Sequence, residues 1–396
     1  MQNVSAPDAK QVPAQTTSWA GVASLGLGVF ALVMAEFLPA SLLPAIAADL
    51  GVSEGTAGQA VTMTAIGAGL SGLFLPALLP RTDRRLVLIG LTAAAVVSDV
   101  LVAFAPNLVV LLAARLLMGV SLGGFWAVAI AMSARLVPSD YLGRAVTVIN
   151  AGVSVATIAA VPLGTWLGAL WGWRGVFLLA AGAALAALLV QAVTLPRFVP
   201  DAAGSLRVLV VTLRSRTVLF GLGGILVVVA GHFTGFTYIR PATESVSGID
   251  ASGLAVLLFV YGIANVGGTA VSGVLADRVL RVAALFFPAM ISLGMVAMVV
   301  TGSTRAGLFV AVALWGFGFG GVPTTAQTWA ARTDPQHLEQ LGGVTVTVFQ
   351  IAIALAAVGG GLLVDHIGAT APLVVGSMAA IVGGLLLVSA LRPAAR

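Results

Sequence analysis

The chain has 396 residues, of which 59% are hydrophobic and only 8% are charged, and its mean hydropathy is +1.09. A soluble protein carries roughly 25% charged residues, so this composition excludes a water-soluble domain and indicates a membrane protein. The formal net charge of +5 comes from basic residues in loops between apolar stretches, and it does not indicate binding to nucleic acid.

Twelve apolar stretches are long enough to cross a bilayer, which requires about 20 predominantly apolar residues. They lie at residues 19–46, 55–79, 86–105, 107–134, 145–170, 173–195, 217–238, 253–275, 282–301, 305–331, 342–364 and 372–391. We therefore predict an all-α polytopic membrane protein built from two six-helix halves. Its predicted parts are a disordered cytoplasmic tail at 1–18, a bundle at 19–195, a cytoplasmic linker at 196–216, a bundle at 217–391 and a tail at 392–396.

Basic residues are distributed unevenly between the two sides of the predicted spans. Fifteen of the nineteen Lys and Arg residues fall in the tails and in loops on the side of the termini, and the opposite loops carry Arg174, Arg240 and Arg305. Basic loops stay in the cytoplasm, so the bias places both termini there.

Four ionisable residues fall inside the predicted spans: Glu36, Asp99, Arg115 and His232. With a rise of about 1.5 Å per residue, all four lie within one helical turn of a common depth, towards the outer side. A charge in a bilayer costs about 2.5–3.5 kcal/mol, and such residues mark functional sites. We therefore predict that these four couple transport to protons.

Two interpretations of Glu36 and Arg115 are open. In the first, they form a static ion pair that joins the first span to the fourth. In the second, Glu36 and Asp99 share Arg115, so that one carboxyl group lacks a full partner and can bind and release a proton. We expect Glu36 to be the coupling acid, with Arg115 passing to Asp99 when Glu36 is protonated. For Asp99 the alternative is contact with headgroup water, and for His232 it is a role in packing.

The lysine count excludes one source of energy. A Walker A loop requires a Lys on the nucleotide phosphates, and Lys10, in the polar tail, is the only lysine in the chain. An ion gradient or facilitated diffusion remains. The chain has no cysteine and its three histidines lie far apart, so we predict no metal site, no cofactor and no enzymatic activity.

The loop after the eighth predicted span, GVLADRVLR, repeats features of the loop after the second. Basic residues stand at the same two offsets in each loop, which favours an internal repeat: Arg278 and Arg281 in the second half, Arg81 and Arg84 in the first. We expect these residues to gate conformational change, with Asp277 forming a charge lock with Arg278 and Arg281. Because Pro80 takes the place of Asp277 in the first half, we expect this lock in the second half only.

Twelve spans, a central linker and the GxLADRxxR pattern resemble the major facilitator superfamily. Arg115, Gly119 and Gly123 fit its Arg-x-x-x-Gly-x-x-x-Gly pattern for the fourth helix. Four stretches resemble the bacterial purine ribonucleoside efflux pumps of its drug:proton antiporter branch: residues 35–65, TDRR at 82–85, GGFWA at 123–127 and GWRGVF at 172–177. The antiporter pattern of the fifth helix is incomplete, since Val161 and Thr165 replace the glycines around Pro162.

The resemblance implies a proton-coupled antiporter that exports purine ribonucleosides such as inosine and guanosine. A nucleobase needs a flat face, and its ring and ribose need amide or hydroxyl partners. Candidate contacts are Gln59, Trp126, Asn150, Asn265, Gln327 and Gln350. Efflux of sugars or amphiphilic drugs by the same mechanism is the alternative. A membrane sensor would carry an added domain, whereas the longest internal loop is the predicted linker. We expect a monomer in the lipid bilayer, with no nucleic-acid partner.

Overall fold

The structure, a computed structural model, describes residues 17–52, 54–199, 210–211, 213–247 and 251–391. Most of the predicted tails, and linker residues 200–209 and 212, lie outside the described residues. The described part of the chain is helical and contains no β-strand.

The first half consists of α1 (Trp19–Leu50), α2 (Glu54–Leu78), α3 (Arg84–Ala103), α4 (Leu108–Leu136), a 3-10 turn (Ser139–Tyr141) and α5 (Leu142–Thr194). The second half consists of α6 (Arg216–Thr237), the short α7 (Ile239–Ser247), α8 (Ala251–Thr301), α9 (Arg305–Thr333), α10 (Leu338–His366) and α11 (Ala371–Ser389). Described residues of the predicted linker include helical positions at 210, 211, 213 and 214.

Two of these helices are long and broken, and each supplies two of the predicted spans. In α5 the break is Gly172, whose φ of 69° lies in the left-handed region that favours glycine. In α8 the break is Val279, where φ is −142° and ψ is 62°. The described residues contain eleven candidate spans, one of which is the 46-residue stretch Val256–Thr301. That stretch would be about 69 Å long as one helix, more than twice the apolar core of a bilayer, so the break divides it into two crossings.

The bundle has two ends, which we call the basic end and the far end. The basic end carries the loops at 79–83 and 137–141, the break at Val279 and the loop at 334–337. The far end carries the loop at 51–52 and the break at Gly172. At the far end Arg174 donates hydrogen bonds to the Asp49 carboxylate and to the Ala105 main-chain oxygen, which ties α5 to α1 and to the residues that follow α3.

Each half has its own hydrophobic core. The first core packs around Phe125 and Phe177, and the second around Phe287, Trp315 and Trp329, all of them fully buried. The halves meet where α2 and α4 pack against α10, and where α5 packs against α8 and α9.

Glycines allow α2 and α4 to approach closely beside the predicted charge site. A Cβ atom on Gly119 would overlap the Thr64 main-chain oxygen, and one on Gly123 would overlap the Ala68 main-chain oxygen. Membrane helices gain stability from this kind of small-residue packing, because lipid supplies no hydrophobic drive for their association. The glycines of the fourth-helix pattern therefore set the distance between these two helices.

We expect Gly123→Ala to lower the stability of the detergent-solubilised protein by about 1–3 kcal/mol, because the added methyl group forces α2 and α4 apart. The measurement is the melting temperature. Gly90→Ala is the matched control, since a Cβ atom there meets nothing within 4 Å. Equal melting temperatures for the two variants would contradict the close approach.

Candidate functional site

Arg115 holds α4 against the backbone of α1. Its side chain is fully buried, and its Nη1 donates a hydrogen bond to the Ala35 main-chain oxygen at 3.0 Å. Its Nη2 donates to the Glu36 main-chain oxygen at 3.2 Å. The Ala35 oxygen is free to accept because Pro39, four residues later in α1, has no N–H group. A proline in one helix therefore creates the acceptor for an arginine in another.

Asp99 lies beside Arg115 but is not hydrogen-bonded to it. The residue is fully buried, both carboxylate oxygens lack a hydrogen-bond partner among the described residues, and Asp99 interacts electrostatically with Arg115. The neighbouring Ser98 hydroxyl donates to the Ala114 main-chain oxygen at 2.6 Å, which fixes α3 to α4 next to the two charges. Asp99 is thus held in place without a partner for its carboxylate.

Glu36 is partly exposed and interacts electrostatically with Arg115. The hydrogen bond between the two residues uses the main-chain oxygen of Glu36 rather than its carboxylate. The static ion pair considered from the sequence is therefore replaced by a contact between a guanidinium group and a helix backbone. The three charged residues Glu36, Asp99 and Arg115 do form one cluster, which we call the charge cluster.

His232 does not join the charge cluster. It lies on α6 in the other half, fully buried among aromatic rings, and its Nδ1 accepts a hydrogen bond from Trp315 Nε1 at 3.0 Å. A nitrogen that accepts cannot carry a proton, so the ring is neutral with its proton on Nε2. This arrangement opposes the predicted role in proton coupling, because protonation of Nδ1 would break the bond to Trp315.

A buried ion pair joins the halves at the basic end. Arg84, at the start of α3, donates through Nε and Nη2 to both carboxylate oxygens of Glu339 in the first turn of α10. The Arg84 side chain is 0% exposed and that of Glu339 is 8% exposed. Paired donation of this kind is among the strongest hydrogen bonding that proteins use. The first half thus has an inter-half contact where the sequence led us to expect none.

Asp277 makes a second contact between the halves at the basic end. Its carboxylate accepts hydrogen bonds from the main-chain N–H groups of Gly143 at 2.6 Å and Arg144 at 3.1 Å, at the start of α5. The guanidinium groups of Arg144 and Arg332 lie 3.9 Å and 3.7 Å from it. Its partners are therefore these groups rather than the predicted Arg278 and Arg281, which are exposed, as is Arg81.

Five predicted or neighbouring polar side chains join the halves deeper in the bundle. The Asn150 amide on α5 donates to Gln327 Oε1 at 2.7 Å and to Thr324 Oγ1 at 3.2 Å, both on α9. The Ser154 hydroxyl, one turn further along α5, donates to Asn265 Oδ1 on α8 at 3.1 Å. Three of the six predicted substrate contacts are therefore engaged between the halves.

The other three predicted substrate contacts lie apart from this interface network. Gln59 is exposed on α2, Gln350 is partly exposed on α10, and Trp126 is partly buried against the core of the first half.

Sequence reasoning missed Glu339, Ser154 and Thr324. Glu339 had a signal, since an acid that opens a predicted span at a basic loop needs a counter-charge. Ser154 and Thr324 had none, because hydroxyl groups inside a span usually bond to their own helix.

Comparison with known proteins gives the family. The sequence pattern of the Major Facilitator Superfamily matches residues 25–357. The chain belongs to the major facilitator superfamily. It is therefore a multi-pass membrane transporter and not an enzyme, as the composition and the resemblance predicted.

Two curated relatives cover most of this superfamily member. The purine ribonucleoside efflux pump NepI of Salmonella paratyphi B is 36% identical over 379 residues, 96% of this chain and 94% of that protein. The transcription regulatory protein OpdE of Pseudomonas aeruginosa is 39% identical over 370 residues, 91% of this chain and 90% of that protein.

Solved structures confirm the fold. The proton:xylose symporter XylE bound to 6-bromo-6-deoxy-D-glucose superposes with a TM-score of 0.73 at 13% identity, covering 93% of this chain and 94% of that one. The human organic anion transporter MFSD10 superposes with a TM-score of 0.67 at 17% identity, covering 93% and 98%. At these identities the likeness concerns the architecture alone.

We expect Glu339→Gln to open the basic end, because it leaves Arg84 buried without a counter-charge, a change that costs about 3–5 kcal/mol in proteins. The chain has no cysteine, so Ala127→Cys, at a fully buried position on α4 facing α10, gives a single label site. Maleimide should modify this cysteine at least tenfold faster in the Glu339→Gln background.

Arg81→Gln, on the same loop as Arg84 but exposed, is the control and should leave the labelling rate within twofold. Arg84→Leu combined with Glu339→Leu should be milder than Glu339→Gln, since no buried charge is left. A Glu339→Gln protein labelled as slowly as its parent would show that the ion pair does not hold the basic end closed.

Proposed function

We propose that this transporter exports purine ribonucleosides such as inosine and guanosine in exchange for protons. Its basic end faces the cytoplasm of a bacterial cell, and the chain lies in the inner membrane. Support for the substrate class comes from the relative named a purine ribonucleoside efflux pump, which matches over nearly the whole chain. The name of the second relative describes a different activity.

The charge cluster is the observation that carries proton coupling. Two N–H groups of Arg115 donate hydrogen bonds to the α1 backbone. Both carboxylate oxygens of Asp99 lack a hydrogen-bond partner in the described part of the chain. An ionised carboxylate buried in this way is costly, and binding a proton removes the cost. One of the two acids near Arg115 therefore carries the coupling proton. We place it on Asp99, whereas the sequence alone favoured Glu36.

The contacts between the halves supply the second part of the mechanism. With the basic end closed, the Asn150 amide donates hydrogen bonds to Gln327 and Thr324 of the other half. Asn265 accepts one from Ser154 across the same interface. When the halves separate at the basic end, these side chains lose their partners and face the opening. A nucleoside entering from the cytoplasm then restores their hydrogen bonds through its ring and ribose. Substrate binding and the closed state thus compete for the same groups.

Substrate class is tested in cells. Overproduction of the chain should raise tolerance to toxic purine ribosides and leave tolerance to cationic dyes unchanged, because a hydrogen-bonding site of amides suits a polar solute. The measurement is the growth-inhibiting concentration of each compound. Protection against dyes and not against ribosides would assign the chain to multidrug efflux.

Proton coupling is tested in everted vesicles. Asp99→Asn should still exchange inosine across the membrane but should lose accumulation driven by a pH gradient, since the side chain keeps its size and can no longer titrate. Glu36→Gln is the matched variant, and we expect it to retain accumulation. If Glu36→Gln loses accumulation while Asp99→Asn keeps it, the coupling acid is Glu36.

Arg115→Ala should be the most harmful change in the cluster. It leaves both acids without a counter-charge and removes the hydrogen bonds to α1, so both binding and exchange of inosine should fail. A variant that binds inosine normally would contradict the role given to Arg115.

A further inference from the structure

Six aromatic side chains from α6, α8 and α9 pack together in the second half, and we call them the aromatic cluster: His232, Phe233, Phe236, Tyr261, Trp315 and Phe319. The His232 ring lies parallel to that of Phe319, with an interplanar angle of 8°. It is also nearly parallel to Phe236, at a centroid distance of 5.3 Å and an angle of 24°. His232, Phe236 and Phe319 therefore form a stack of nearly parallel rings within the cluster, and the Phe233 ring stands across it.

Trp315 stands across this stack and sets the tautomer of His232. Its ring is perpendicular to those of Phe236 and Tyr261, at 89° and 90°. Its Nε1 donates to His232 Nδ1 at 3.0 Å, which leaves the imidazole proton on Nε2. His232 thus offers one fixed hydrogen-bond donor.

The aromatic cluster borders the surface between the halves. Tyr261 precedes Gly262, which packs against Ile158 of α5 in the other half. Asn265, one turn further along α8, accepts the hydrogen bond from Ser154. The Tyr261 hydroxyl is buried and makes no well-formed hydrogen bond within the described part of the chain. A buried hydroxyl without a well-formed hydrogen bond needs an explanation, and a polar ligand that reaches it when the halves separate would supply one.

We infer that the aromatic cluster binds the flat heteroaromatic ring of the substrate. The ring stacks against Phe236, and the Nε2–H of His232 and the hydroxyl of Tyr261 are its polar partners. A purine fits this chemistry, because it has a π-face for stacking and acceptor atoms along its edge. The inference rests on the proposed function, and it assigns the base to the second half while the charge cluster of the first half handles the proton.

The test is the concentration dependence of inosine uptake into everted vesicles. Phe236→Ala should raise KM at least tenfold and leave the maximal rate within threefold, because it removes a stacking face and leaves the charge cluster untouched. Phe236→Tyr should bring KM back to within threefold of the unmodified protein. Phe286→Ala removes a ring that packs with Phe287 and Phe317 outside the cluster, and it should leave KM unchanged.

A second pair of variants tests the His232 hydrogen-bond donor. It decides whether the aromatic cluster binds the substrate ring if Phe236→Ala does not fold. His232→Gln keeps an N–H group near the position of Nε2 and should retain KM within threefold, whereas His232→Leu should raise it at least fivefold. If the parent protein transports inosine normally, an unchanged KM in Phe236→Ala would overturn the inference and leave the proposed function standing. If Phe236→Ala does not fold, an unchanged KM in His232→Leu would do the same. Absence of inosine transport by the unmodified protein would overturn the proposed function and the inference with it.

Discussion

The hydrogen bonds from Arg115 to the backbone of α1 are the constraint on which the charge cluster depends. A guanidinium group buried in a membrane protein needs acceptors, and in a regular helix each carbonyl oxygen already accepts one hydrogen bond from the backbone. Pro39 removes one N–H from α1 and so leaves the Ala35 oxygen available to Arg115. Two donors of the arginine bond to the backbone, its Nε has no hydrogen-bond partner among the described residues, and two acids remain near it without direct hydrogen bonds to it. A proton can then neutralise an acid without breaking the contact between α1 and α4.

The basic end uses two different chemistries at related places in the two halves. In one, Arg84 of the first half binds a carboxylate in the first turn of α10. In the other, Asp277 of the second half binds the N-terminal N–H groups of α5. A carboxylate lies at a helix N-terminus in both, where the helix dipole favours negative charge. The two contacts thus have the same electrostatics although the residues that supply them differ.

Composition and apolar run length were enough to predict the helical fold, because the bilayer fixes how long a spanning helix must be. The two breaks were also visible: Gly172 and the loop around Asp277 lie where the predicted spans end. The charge cluster was predicted from depth alone, since three of the four ionisable residues in the spans meet. Depth does not give the rotation of a residue about its helix axis, however. It could not show that His232 lies among aromatic rings of the second half instead of joining the cluster.

The hydrogen-bond partners of Asp277 could not be predicted from the sequence. Nothing in the pattern around Asp277 shows that its carboxylate turns to Gly143 rather than to its own neighbours Arg278 and Arg281. The choice follows from packing: α5 begins so close to α8 that a Cβ atom on Gly143 would overlap the Asp277 carboxylate. Contacts between elements far apart in sequence require the position of both, and only the three-dimensional structure supplies it.

The central claim is that the chain exchanges a purine ribonucleoside for a proton held by the charge cluster, and proton release on substrate binding tests it most directly. Purified protein in weakly buffered solution, with a pH-sensitive dye, is mixed with saturating inosine. We expect the unmodified protein to release close to one proton per inosine bound, and Asp99→Asn to bind inosine with no release. Binding of inosine by the unmodified protein without any change in proton concentration would contradict the central claim.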